Sequence, residues 1–122
     1  MDDVIAKWIL NSKSDGKASD EIFAAWEAVN DAVLENPDSG WDLVLRLVEA
    51  APDDAVLANV AAGPLEDLIR LWSSRLIDRI EVQARRDPKF RRCLTGVWVP
   101  SEVPPAIAAT IAKYTSTVLD PL

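Results

Sequence analysis

The 122-residue chain has no histidine and a single cysteine, Cys93. Without imidazole it lacks the usual general base near neutral pH and the commonest metal ligand. One cysteine excludes an internal disulfide and fits a reducing compartment. Glycine is scarce, at four residues, and forms no phosphate-cradling loop. The acids lack calcium-loop spacing. No apolar run approaches the roughly 20 residues of a membrane-spanning helix. Met1-Asp2-Asp3 lacks the basic start and apolar run of a secretory leader. No alternating apolar–polar pattern marks a strand. The expectation is a cytoplasmic, non-enzymatic protein with no cofactor, no metal site and no membrane association.

What is present points to one helical domain over residues 1–122. Hydrophobic residues make up 49% of the chain, enough to close a core without disulfides. The formal charge of −7 argues against general binding to nucleic acid or anionic membranes and favours a basic partner. Five tryptophans suggest aromatic anchors for short helices, one or two of them at the surface.

Apolar residues recur at helical spacing along the chain. Val4, Ile5, Trp8 and Ile9 form the first stripe, and residues 11–17 read as a loop. Ser19 suits an N-cap for a helix with Ile22, Phe23, Trp26, Val29, Val33 and Leu34 on its inner face. Asn36-Pro37 stops that helix, and Ser39 offers the next cap, ahead of Trp41, Val44, Leu45 and Val48. Pro52-Asp53-Asp54 restarts the chain for Val56, Leu57 and Val60. Gly63 ends that turn, and Pro64 suits the start of a helix carrying Leu65, Leu68, Ile69 and Trp72. Ser73 or Ser74 opens another helix, with Leu76, Ile77, Ile80 and Ala84 inside. Asp87-Pro88 is a cap and a first-turn proline before Phe90, Cys93, Leu94 and Val97. Gly96 and Pro100 end that helix, and Pro104-Pro105 opens the last, with Ile107, Ile111, Tyr114 and Val118. The expected fold is all-α: an irregular bundle of seven or eight short helices, with stacked helical pairs as the variant.

Ala61-Ala62-Gly63-Pro64-Leu65-Glu66-Asp67-Leu68, Ile77-Asp78-Arg79-Ile80-Glu81, Arg86-Asp87-Pro88-Lys89-Phe90-Arg91 and Gly96-Val97-Trp98 follow in that order. Together, over about residues 41–99, they resemble a family of small bacterial helical proteins catalogued as a domain of unknown function. The resemblance implies a bacterial or phage origin and a helical fold. It implies no activity and assigns no functional residue.

Two charge constellations stand out. At about 100° per residue, Asp20, Glu27, Asp31 and Glu35 share one narrow sector of a helix. Like charges four apart cost roughly 0.2–0.5 kcal/mol per pair. Elsewhere acids precede cations at the favourable spacing: Asp3–Lys7, Asp42–Arg46, Glu66–Arg70, Glu81–Arg85 and Asp87–Arg91. The unpaired stripe suits docking of a basic partner, and a solvated helix face is the plain alternative. The second constellation is basic. From Arg75 to Arg92 the chain carries seven cations and three acids, or +4, leaving −11 elsewhere. Arg85, Arg86, Lys89 and Arg92 would form a phosphate or nucleic-acid site on the sharp reading. Helix-end stabilisation, or pairing with the acidic stripe within the fold or across a homodimer, explains them equally simply. Cys93 sits on an apolar face and reads as a structural thiol.

The expectation is therefore a protein–protein interaction module, in its specific form an acidic inhibitor or immunity-type protein that masks a basic partner such as a toxin. Asp20, Glu27, Asp31 and Glu35 would steer association, and Trp41 or Trp98 would anchor it. An adaptor subunit of a bacterial complex, or an anion binder through the Arg75–Arg92 region, are the alternatives.

Overall fold

In the computed structural model, residues 2–13 and 20–122 are described, and for Asp2, Glu21 and Ile22 only the backbone. They contain seven α-helices and no strand: α1 (Asp2–Lys13), α2 (Asp20–Glu35), α3 (Pro37–Ala50), α4 (Asp54–Val60), α5 (Glu66–Arg86), α6 (Pro88–Leu94) and α7 (Pro105–Thr115). The all-α expectation holds, but two helix breaks do not. A π turn, Ala61–Leu65, joins α4 to α5 with helical backbone on both sides. Gly63-Pro64 is therefore inside a rod from Asp54 to Arg86, and the described residues form six rods. The wider i→i+5 pattern absorbs the missing N–H of Pro64, and the Glu66 N–H reaches back to the Ala61 carbonyl. Ser73-Ser74 opens no helix either: α5 runs straight through, with Ser73 buried.

Polar residues place most boundaries. The Asn36 side chain accepts from the N–H groups of Asp38 (2.8 Å) and Ser39 (3.1 Å), so it, and not Ser39, caps α3. Pro37 follows at a position that needs no N–H donor. Asp87 caps α6 as the sequence suggests, and Asp53, where the chain restarts, caps α4. Helix α1 extends through Asn11 to Lys13, beyond the expected loop start. Ser19 lies outside the described residues.

One core runs from Ile5 and Trp8 in α1 to Ile111 and Tyr114 in α7. The paired rod α4–α5 passes through its middle, with Val60, Ala61, Leu65, Leu68 and Ile69 wholly buried. Helix α2 lies against its first half. The Trp72 indole N–H donates to the Val33 carbonyl at 2.8 Å. Gly40 at the start of α3 makes this corner tight: a Cβ there would lie 2.9 Å from Leu68 Cδ1 and 3.1 Å from the Val33 Cα. α2 thus presents Ala25, Val29 and Val33 inward and the rest of its surface outward.

Candidate functional site

The outward surface of α2 carries the predicted stripe. Asp20, Glu27, Asp31 and Glu35 are all exposed. Among the described residues none of the four has an ion-pair partner. The basic cluster does not cover them, and four of its seven cations are engaged elsewhere. Arg79 pairs with Asp38 at 2.7 Å. Arg85 donates to the Tyr114 hydroxyl at 2.9 Å, and this bond, with a weaker approach to Glu81, raises its already high pKa. Lys89 Nζ donates to the Glu49 and Ala51 carbonyls at 3.0 and 2.9 Å, closing the C-terminus of α3. Arg92 grips Asp54 through both terminal nitrogens, with Nη2–Oδ2 at 3.0 Å, and its Nε reaches the Asp120 carbonyl at 2.7 Å. Of the four residues read as an anion site, Arg85, Lys89 and Arg92 thus serve as internal ties, and Arg86 alone lacks a described partner.

The tryptophan anchors need correction. Trp41 is only 6% exposed and meets Phe90 edge-on, with ring centroids 5.6 Å apart. It is a core residue, held there because α3 buries that face against α6. Trp98 is 84% exposed, in the segment after α6, and its backbone N–H donates to Glu66 Oε1 at 3.0 Å. Sequence periodicity placed Phe23, Trp26 and Leu34 inside, yet all three are exposed. Phe23 and Trp26 stack on each other with centroids 5.6 Å apart. The narrow Ala25–Val29–Val33 line fills the space against α1 and α5, so the bulkier residues flank it.

On the helix wheel Trp26, Asn30, Phe23 and Leu34 occupy the sector beside the acids. Trp26 and Asn30 also line a seam with Gly63, Pro64 and Asp67 at the α4–α5 junction. Leu71, exposed one turn beyond Asp67, extends that seam. The outcome is a strip of exposed apolar residues bordered by Glu27, Asp31 and Glu35. Helical spacing of apolar residues could not have found it. The signal that could was size: alanine and valine alone match the close approach of helices.

A second apolar groove, of about 880 Å³, lies between α1 and α3, lined by Ile5, Ile9, Leu10, Lys13, Arg46 and Ala50 among others. Lys13 is tied to Asp53 at 3.2 Å. Among the described residues no three His, Cys, Asp or Glu side chains are grouped to hold a metal ion. Cys93 is wholly buried with its thiol toward the Leu57 carbonyl (3.6 Å), and burial pushes its pKa up to about 12. No helix of the described residues is long and apolar enough to cross a membrane.

No curated protein and no solved structure matches the chain. A family match extends well beyond the motifs between Trp41 and Val99 and takes in α2 to α7. Through residues 12–118 the chain belongs to the family of unknown function DUF6869.

Proposed function

We propose that the chain is a non-catalytic protein–protein interaction module whose α2 surface docks a basic partner. Its specific form is an inhibitor or immunity-type protein of a bacterial cytoplasm, masking the cationic active-site surface of a toxin that acts on nucleic acid. One observation carries this reading: four acids stand exposed and unpaired on α2 beside an exposed apolar strip. The acids would steer encounter, and the Phe23–Trp26 stack would supply the desolvated centre that acids alone cannot. Arg79, Arg85, Lys89 and Arg92 are spent on internal ties and leave the stripe open to a partner.

The test is affinity capture from the source cell at low and moderate salt. The baits are the wild type, Glu27→Lys/Asp31→Lys/Glu35→Lys and Trp26→Ala, each checked for helicity by circular dichroism. Expected is a basic protein held by the wild type and lost by both folded variants. Binding to that purified protein should weaken as salt rises, because exposed charge pairs are screened. Identical capture by wild type and charge-reversed bait would reduce the stripe to a solvated face. The exposure of Trp98 favours a second reading, an adaptor subunit held by apolar contacts. Binding that salt leaves unchanged and Trp98→Ala abolishes would select it.

A further inference from the structure

The exposed charges of α2 and α5 form two halves of one face. Trp26 and Asn30 sit beside Gly63, Pro64 and Asp67, Val33 beside Trp72, and Asp38 beside Arg79. Helix α2 therefore runs in the same sense as the α4–α5 rod and ends near its Trp72–Arg79 stretch. Beyond that corner α5 continues, with Leu71, Arg75, Val82 and Arg86 on one exposed line at helical spacing. Leu34 and Leu71 are exposed at the junction. Going one way along α2 come Glu35, Asp31 and Glu27, then the Phe23–Trp26 stack. Going the other way along α5 come Arg75, Val82 and Arg86. Neither Arg75 nor Arg86 has an ion-pair partner among the described residues. At 1.5 Å per residue, Trp26 lies about 12 Å from Leu34, and Val82 about 16 Å from Leu71.

We propose that this face is the interface of a symmetric homodimer. A two-fold axis near Leu34 and Leu71 lays α2 of one protomer along the second half of α5 of the other. Glu27, Asp31 and Glu35 then face Arg75 and Arg86, and the same contacts recur across the axis, as an isologous interface requires. The Phe23–Trp26 stack arrives at a depression of about 380 Å³ bounded by Trp41, Leu45, Asp78, Arg79, Val82 and Arg86, where Asp78 is the one acid of the lining. An α2-against-α2 pairing would oppose acid to acid. Only the antiparallel placement makes both charge and apolar residues complementary. The dimer goes beyond the docking function above but uses part of the same surface, so self-association and partner binding compete. It is tested on the isolated protein, independently of whether a partner is ever captured.

Sedimentation equilibrium of the wild type should give twice the chain mass, falling toward one chain mass as salt rises. Glu27→Arg/Asp31→Arg and Arg75→Glu/Arg86→Glu should each be monomeric. Their equimolar mixture should regain the double mass, since both reversed halves are again complementary. A separate measurement avoids the charged variants. Leu71→Cys should form an intermolecular disulfide under mild oxidation, while Ala109→Cys, exposed on α7, should not. Buried Cys93 stays silent in both. A wild type of one chain mass at every concentration would overturn the dimer. So would a mixture of folded variants that stays monomeric, or cross-linking no greater at Leu71 than at Ala109.

Discussion

Two glycines in similar helical surroundings do opposite work. At Gly63 a Cβ would meet open space, so Gly63→Ala removes only the entropic cost of glycine in a helix. It should stabilise the protein by about 0.4–1 kcal/mol in urea unfolding. At Gly40 the same change drives a methyl group into Leu68 and the α2 backbone, and backbone cannot rotate away. Gly40→Ala should destabilise by about 1–3 kcal/mol. Cys93 makes the other residue-scale prediction. Its pKa rises from an ordinary 9.0 to about 12 because burial disfavours the thiolate. The folded state then holds its proton more tightly than the unfolded state, so this contribution is intact below pH 9.0. It is lost as pH rises toward about 12. At neutral pH a thiol reagent should label Cys93 only as fast as the protein unfolds, which denaturant titration of the labelling rate will read.

At the scale of elements, boundaries depend on side-chain caps. The start of α4 depends on two carboxylates. The Val56 N–H, then Lys13, holds Asp53 below the ordinary 3.8, and the Arg92 guanidinium holds Asp54 below it as well. Depressed values mean that the folded state binds fewer protons than the unfolded state. Their stabilisation is present above about pH 3.8 and declines as pH falls through the lower folded values. Amide protection in Asp54–Val60, measured against the intrinsic exchange rate at each pH, should therefore fall on acidification, and Asp53→Asn should shrink that acid dependence. The cap at Asp87 was legible in sequence because an acid directly before proline has few other uses, whereas Pro52-Asp53-Asp54 showed only that the chain restarts there. Asn36 and Ser39 are both good caps by residue type, and only the turn geometry chooses between them. The π turn was illegible for a different reason. Gly63-Pro64 reads as a break by local rules, and packing of Ala61 and Leu65 in the core holds the rod together instead.

Across the whole molecule, Arg92 ties three distant parts together. It joins α6 to the start of α4 through Asp54 and to the C-terminal segment through Asp120. The Leu122 N–H adds a bond to the Thr95 hydroxyl oxygen at 2.8 Å. Arg92→Met keeps the stem packed but removes the donors. It should lower the unfolding midpoint and speed proteolysis within residues 116–122 before the core opens. Asp120→Asn, which keeps the accepting carbonyl, should do less. The charge pattern follows the same division. Of the five expected helical ion pairs, Asp3–Lys7 and Glu81–Arg85 form, at 3.1 and 3.9 Å. Glu66 turns instead to the Trp98 N–H, Asp87 to its cap, and Arg70 to Asp67. Only Glu66 exchanges its local partner for a distant one; Asp87 and Arg70 find theirs within the same turn.

The helical class, the inward line of most helices, the acidic stripe on α2 and the buried thiol were all legible in the sequence. Each follows from spacing or from the absence of a residue type, and neither depends on a neighbour. Only the tertiary structure decided that Trp41 is core while Phe23, Trp26 and Leu34 are surface, and that most of the basic cluster is spent internally. Those outcomes depend on how closely two helices approach and on which carbonyl or carboxylate a long side chain can reach. Periodicity carries the direction a side chain points, but not what stands in front of it.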